Sequence, residues 1–463
     1  LKNKLFRRKP VEDLLYQNNS ESHFKKTLSA FDLILLGVGA IVGTGIFILP
    51  GTVAATHSGP AIVFSFVIAA IVCALAGLCF SEFSSSIPVT GSAYTYGYIV
   101  FGELIAWLIG WALLLEYGLA VASVANGWSS YLNALLSGFH LEIPRAISGP
   151  FNPADGTYIN IPAIAIIFFI ALLLTLGIRE STKINAIMVF IKVAVILLFI
   201  GVGIFYVQPT NWEPFMPFGF EGILSGAALV FFAYLGFDAV SSAAEEVKNP
   251  QRNMPIGIIG SLAICTILYI AVSLVLTGMV PYTDLNVSDP VSFAMQIINQ
   301  DWVAGVISLG AVVGMMTVML VMLYGGTRLL YAFGRDGLLP KSMAKLHDKF
   351  HTPVKNTWTF AIIAAICGGV VPLDKLAELV NLGTLLAFTM VSIGIIFLRK
   401  NKNIPSGGFK TPLYPVLPIL SFILCIFLIT QLSVHTWIAC SIWFAIGLII
   451  YFVYGRKHSV MNK

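Results

Sequence analysis

Four features of the sequence could do chemistry, and each lies where the chain is otherwise apolar. Gly43-Thr44-Gly45 interrupts one hydrophobic run, and Glu116, Lys192 and Asp238 each stand inside another. A glycine costs about 1 kcal/mol in a helix interior relative to alanine, so two glycines around a threonine at mid-run mark a point where the helix opens. An opened helix presents the free N–H groups of a half-helix N-terminus at Gly43, Thr44 and Gly45, and the positive dipole end there favours a carboxylate. The C-terminal ends of half-helices, at Ile41 and at Phe232 and Ala233 in a second run, offer carbonyls to an ammonium group. Donors for a carboxylate beside acceptors for an ammonium fit the head group of an α-amino acid.

The ionisable residues are expensive where they stand. A charge inside a spanning helix costs at least about 2.5 kcal/mol on insertion scales unless it is paired or wet. Lys192 lies beyond Lys183 by about 14 Å along a helix, too deep to reach the interface easily. At that depth it can exchange a proton, or when protonated replace a bound sodium ion by donating to carbonyls of the broken first segment. It is the proton-coupling candidate, with Glu116 a weaker second. The plainer alternative is a fixed ion pair of Lys192 with Glu116 or Asp238 that only locks the bundle. Asp238 has two readings of equal weight, such an ion pair or a carboxylate facing a cationic substrate side chain. Met322, with Met315, Met316 and Met319, forms a stripe that is either packing or the wall of an adaptable pocket. Glu82, Glu103, Glu245 and Glu246 fall at segment ends, where solvated or gate-forming roles are expected.

These residues must be positioned by membrane helices. The 463 residues are 57% hydrophobic and only 11% charged, far from the usage of a soluble domain. The apolar runs are of helical length, each near the roughly 20 residues a spanning helix needs. Twelve spans are expected, at 30–57, 60–83, 101–132, 159–178, 184–207, 222–247, 255–280, 302–333, 357–372, 377–398, 414–433 and 436–455. The pattern excludes an outer-membrane barrel. Of the 27 lysines and arginines, Lys192 lies within a span and only Arg145 and Lys375 lie on one side; the rest gather on the other. By the positive-inside rule both termini are cytoplasmic, in the cell membrane. The net charge of +5 therefore marks topology, not nucleic-acid binding. No signal-peptide pattern precedes the first span. All six cysteines fall within apolar runs without a C-x-x-C pair, so neither a disulfide framework nor a metal site is indicated, and no cofactor is called for. The longest inward loop, 334–356, has room for a short amphipathic helix.

A second glycine-bearing interruption, Phe232 to Asp238, lies five spans after the first. Two such breaks are what a five-plus-five inverted repeat produces, with a ligand site on the pseudo-twofold axis. This predicts a cytoplasmic tail over 1–29, a first repeat over 30–207, a second over 222–398, two extra helices over 414–455 and a tail over 456–463. The competing reading of Gly43 is close helix packing, because Gly39-x-x-x-Gly43 is itself a small-xxx-small pattern.

Ser29-Ala30-Phe31-Asp32 leading into Gly37–Phe47, then Pro88-Val89-Thr90-Gly91-Ser92-Ala93-Tyr94-Thr95-Tyr96, then Phe232–Asp238 with Glu245-Glu246-Val247-Lys248-Asn249-Pro250-Gln251-Arg252, closely resemble the amino acid–polyamine–organocation superfamily. Within it the chain is similar to the cationic amino acid transporter family, in a bacterial form with twelve spans where animal relatives have fourteen. The resemblance covers nearly the whole chain. It implies an all-α integral membrane protein of twelve transmembrane helices with the leucine-transporter-like fold, working by alternating access. It implies that Gly43, Thr44 and Gly45 meet the substrate carboxylate, that Ile41 and Phe232 give carbonyls to its amine, and that Phe232 and Leu235 gate it. Asp238 would occupy the side-chain pocket, and Lys192 stands where proton-coupled members carry a lysine in place of sodium. Met322 departs from the human members, being large for a pocket that takes arginine.

The expected function is secondary active transport, proton-coupled symport of cationic or small neutral amino acids such as alanine, with protons, the substrate and membrane lipid as partners. An amino acid/amine exchanger of the same superfamily is the alternative. A membrane enzyme is disfavoured by the absence of H-E-x-x-H and G-x-S-x-G motifs, and a nutrient sensor by the absence of a sizeable soluble domain.

Overall fold

Ser29 starts the first helix among the described residues with a capping box: its hydroxyl accepts from the Asp32 N–H at 3.3 Å while Asp32 Oδ2 accepts from the Ser29 N–H at 2.8 Å. Such a cap contributes about 1 kcal/mol. In the computed structural model, residues 7–8, 27–87, 92–177, 182–350, 352–400 and 408–462 are described. The Pro88–Gly91 part of the second motif, most of the expected N-terminal tail and the Glu245 side chain lie outside the described residues.

The regular elements among those residues are helical, and β pairing is confined to isolated bridges. In chain order the α-helices of four or more residues among the described residues are α1 (Ala30–Ile41), α2 (Thr44–Phe47), α3 (Leu49–Val53), α4 (Ile62–Ser86), α5 (Ser92–Val100), α6 (Glu103–Ser137), α7 (Ile161–Thr175), α8 (Thr182–Gly203), α9 (Gly219–Val230), α10 (Phe237–Ser242), α11 (Pro250–Met279), α12 (Pro290–Ile297), α13 (Asp301–Arg335), α14 (Val354–Val370), α15 (Leu373–Lys400), α16 (Val416–Thr430) and α17 (Val434–Ile450).

Seven stretches among the described residues are long and apolar enough to cross a bilayer: Leu49–Ser86, Glu103–Ser137, Asn185–Tyr206, Pro250–Met279, Asp301–Arg335, Leu373–Lys400 and Val434–His458. Five shorter apolar helices accompany them, Ala30–Ile41, Ile161–Thr175, Gly219–Tyr234, Val354–Val370 and Val416–Thr430. This is a multi-pass helical membrane protein. Two of the short helices, α1 and α9, are short because each stops at a break and the chain resumes in another helix.

Burial locates the core. The apolar window of α6 is 83% buried against 22% for the window containing α17. α6 packs along both α13 and α15, while α11 packs between α1 and α4. α8 lies against α1 and α13, and α7 pairs with α14. α17 is pinned to α6 by a stack of indoles: Trp111 Nε1 donates to the Trp443 carbonyl at 2.8 Å and Trp443 Nε1 returns a bond to the Trp111 carbonyl at 3.0 Å.

The loops depart from expectation in three places. The 334–356 segment carries a four-residue 3-10 turn, Lys341–Ala344, with no buried residue, instead of an amphipathic helix. Left-handed Gly337 and Pro340 break the chain there. α5 and α12 are helices where loops were expected, both too brief to show a period.

Candidate functional site

α1 ends at Ile41, Val42 is extended (φ −75°, ψ 101°), and helix resumes at Thr44. The second break runs through a 3-10 turn at Phe231–Tyr234, an extended Leu235 and Gly236 at φ 109° before α10 begins. The two breaks touch each other. A Cβ on Gly45 would sit 2.5 Å from Ala233 Cα, and one on Gly236 would sit 2.9 Å from the Ala40 carbonyl oxygen. Glycine is thus required at both for close approach, and at Gly236 for its left-handed backbone as well. The packing reading of the glycines and the broken-helix reading both describe part of what they do.

The polar groups expected at the breaks are present. Among the described residues the N–H groups of Gly43, Thr44 and Gly45 have no acceptor, and the buried Thr44 hydroxyl has no partner. On the opposite side the Phe232 carbonyl accepts the Leu235 N–H at 3.2 Å. The Ile41 and Ala233 carbonyls converge on one group that sequence reasoning missed. Tyr269 of α11 places its hydroxyl 2.5 Å from the Ala233 oxygen and 3.3 Å from the Ile41 oxygen. A phenol has one proton to donate, so the shorter contact to Ala233 carries the bond and Ile41 retains acceptor capacity. A lone tyrosine in an apolar helix carries no signal of such a role. Asn381 of α15 supports the second break further back, donating to the Ala228 and Leu229 carbonyls at 2.8 and 3.2 Å.

Lys192 of α8 is fully buried and its Nζ donates to the Gly39 carbonyl of α1 at 2.8 Å. Its aliphatic stem lies against Gly314 of α13, where a Cβ would come within 2.9 Å of Lys192 Cγ. Four residues on, Val318 faces Gly43, the nearest neighbour of a Cβ there at 3.2 Å. Four more residues give Met322, which is buried. This spacing keeps one face of the helix, so a single stripe of α13 passes Lys192, the first break and Met322.

Asp238 opens α10 and is buried, and its Oδ2 accepts from Tyr117 Oη at 3.3 Å. Glu116 neighbours Tyr117 on α6, and its two carboxyl oxygens have no hydrogen-bond partner among the described residues. Glu116 is therefore not ion-paired with Lys192, and the locked-pair reading fails for that combination. The structure thus gathers Ile41, Gly43, Thr44, Gly45, Phe232, Ala233 and Leu235 at the touching breaks. Lys192 lies on one flank and Asp238 belongs to the Tyr117 neighbourhood on α6.

Two of the segment-end acids for which solvated or gate-forming roles are expected are not solvated. Glu82 is buried and forms a bidentate pair with Arg399, at 2.7 and 2.8 Å, and also accepts the Thr411 N–H at 2.8 Å. Glu103 is buried and accepts from the Tyr451 and Ser459 hydroxyls at 3.0 and 2.5 Å. Nearby, the chain entering α1 is strapped to the chain leaving α10: Thr27 and Leu28 N–H groups donate to the Glu246 carbonyl at 2.9 and 3.0 Å, and the Lys248 N–H returns to Leu28 at 2.9 Å. Partners so distant in sequence could not be matched from the sequence.

Comparison with known proteins places these features in context. The amino acid permease family profile matches residues 28–455. The methylthioribose transporter of Bacillus subtilis (strain 168) is 55% identical over 459 residues, covering 99% of both chains. The branched-chain amino acid permease BcaP of the same organism is 51% identical over 466 residues and all of both chains. The vacuolar cationic amino acid transporter 4 of Arabidopsis thaliana is 32% identical over 582 aligned positions, covering 100% of this chain and 97% of the plant protein.

Proposed function

The chain belongs to the amino acid permease family of the amino acid–polyamine–organocation superfamily, and from that premise we propose that it imports an amino acid across the cell membrane by proton-coupled symport. It is a transporter and not an enzyme. The observation that carries the coupling is the 2.8 Å bond from buried Lys192 Nζ to the Gly39 carbonyl. A protonated ammonium there ties α8 to the half-helix that ends at the first break, in a charge-assisted bond worth about 1.5–3 kcal/mol. Loss of the proton weakens the tie and frees α1 to move, so protonation and helix position are linked.

Substrate would bind where the breaks meet. Its carboxylate would take the N–H groups of Gly43, Thr44 and Gly45 together with the Thr44 hydroxyl, which would relieve a buried unsatisfied group. Its ammonium would take the Ile41, Phe232 and Ala233 carbonyls and displace the Tyr269 hydroxyl from between them. Because Gly45 already lies against Ala233, entry requires the two segments to part, which is one stroke of alternating access.

The side chain would be neutral and apolar. Phe232, Leu235 and Met322 are apolar and buried, and the Asp238 Oδ2 accepts from Tyr117. The names of two relatives above 50% identity, for methylthioribose and for branched-chain amino acids, fit a neutral pocket. The seven long and five shorter apolar helices would make twelve spans, in a five-plus-five inverted repeat over 30–207 and 222–398 with two extra helices and both termini cytoplasmic. The two breaks, each in the first span of a repeat, support that arrangement.

A competition panel of the twenty amino acids against labelled leucine, with the protein in liposomes, tests the substrate class. Leucine, isoleucine and valine should compete best. Stronger competition by arginine and lysine would overturn the neutral pocket, and uptake that requires substrate inside the liposomes would make the protein an exchanger.

A further inference from the structure

A cavity of about 220 Å³ opens at the basic end of the bundle, where the C-terminal half of α13 meets the ends of α7 and α14. It lies apart from the helix breaks. At about 30 Å³ per water, it has room for a group the size of a phosphoglycerol. Tyr324, Arg328 and Tyr331 of α13 line one wall, and Thr352 and Pro353 at the start of α14 line another.

Arg328 is exposed and stands over the Tyr324 ring at 5.0 Å, and among the described residues its guanidinium pairs with no carboxylate. The threonine hydroxyls around it are committed elsewhere: Thr327 to the Tyr324 carbonyl, Thr352 to Thr175 and Thr357 to Pro353. The cavity therefore presents a positive charge with no acceptor of its own. α14 begins at the cavity wall, and the N–H groups of Lys355 and Asn356 in its first turn have no acceptor among the described residues. The positive end of that dipole adds to the guanidinium. Lys345 and Lys349 outnumber Asp348 in the adjoining loop and leave it net positive. Leu172 of α7, Leu176 just beyond it and Ile362 of α14 are exposed on this part of the bundle, apolar surface along which an acyl chain can lie.

We propose that this cavity binds the phosphate of an anionic membrane phospholipid, with Arg328 as its bidentate partner and the two tyrosines framing the headgroup at the interface. Planar guanidinium–phosphate pairing suits arginine, tyrosine favours the membrane interface, and basic pockets between spanning helices take anionic headgroups. Phosphate chemistry alone would also admit a soluble phosphate, so the test separates the two sources.

The full-length protein in detergent is incubated with phosphatidylglycerol, phosphatidylethanolamine or inorganic phosphate, and the adducts are counted by native mass spectrometry. Arg328→Gln should lower the phosphatidylglycerol-bound fraction about tenfold, a difference of about 1.4 kcal/mol, while Arg328→Lys retains part of it and Arg252→Gln all of it. Equal phosphatidylglycerol binding in Arg328→Gln would overturn the proposal, as would equal retention of phosphatidylethanolamine by the unaltered protein. Arg328-dependent binding of inorganic phosphate without the lipid would overturn the lipid source. If Arg328→Gln fails to fold, thermal unfolding of the unaltered protein decides: phosphatidylglycerol should raise the midpoint above phosphatidylethanolamine, and no difference would overturn the proposal.

Discussion

Gly45→Ala is the most direct perturbation of the contact between the two breaks. The added Cβ would lie 2.5 Å from Ala233 Cα and 2.6 Å from Ala233 Cβ, whereas carbon atoms attract best at about 3.5–4.0 Å. The segments must move apart by about 1 Å, and both sides are backbone, so no flexible side chain can absorb the displacement. Overpacking of this kind costs about 1–3 kcal/mol. Separation also stretches the Tyr269 bridge, which spans 2.5 Å to Ala233 and 3.3 Å to Ile41, at a further cost of about 0.5–1.5 kcal/mol. Alanine's better helix propensity, about 1 kcal/mol, offsets part of this. The remainder, about 0.5–3.5 kcal/mol against the closed arrangement, shifts the balance of open and closed states roughly 2- to 400-fold. Uptake of labelled leucine into liposomes should fall accordingly, together with the thermal unfolding midpoint in detergent. Gly305→Ala in α13, where a Cβ meets nothing within 4 Å, should leave uptake unchanged and serves as the control. If Gly45→Ala transports at the unaltered rate with an unchanged midpoint, the breaks do not close against each other in the working cycle.

Tyr269→Phe removes the hydroxyl between the break carbonyls and should lower stability by about 1–2 kcal/mol in detergent unfolding; an unchanged midpoint would mean that water replaces the hydroxyl without cost. Met322→Ser should enlarge the pocket and raise uptake of arginine and other long side chains at the expense of leucine, and no gain for any long substrate would make Met322 ordinary packing. Asp238→Asn keeps a group that accepts from Tyr117, so leucine uptake should fall by less than fivefold, a difference of about 1 kcal/mol; a selective loss of cationic substrates in competition assays would return Asp238 to the side-chain pocket.

What the sequence makes legible follows from how loudly each residue breaks local rules. Glycines at mid-span and a lysine deep in an apolar run violate the composition around them, and both breaks and the Lys192 contact with α1 can be anticipated from that alone. Tyr269 violates nothing, since tyrosine is ordinary in membrane helices, and its importance comes from a distance between two carbonyls that only the fold sets. Glu82 and Arg399 stand at segment ends where charges are unremarkable, and their pairing depends on α4 and α15 lying side by side. α5 and α12 escape notice because fewer than ten residues cannot establish a helical period. Tyr117, whose hydroxyl meets Asp238, stands one residue beyond a glutamate that draws attention to itself for being charged, and nothing in its own position singles it out.

The central claim is that a proton on Lys192 drives uptake. The measurement is accumulation of labelled leucine in liposomes under an imposed inward proton gradient, for the unaltered protein and for Lys192→Ala. The unaltered protein should concentrate leucine above equilibrium and lose that ability when the gradient is collapsed, while Lys192→Ala binds leucine but does not accumulate it. Accumulation by Lys192→Ala with the same dependence on the gradient would contradict the account.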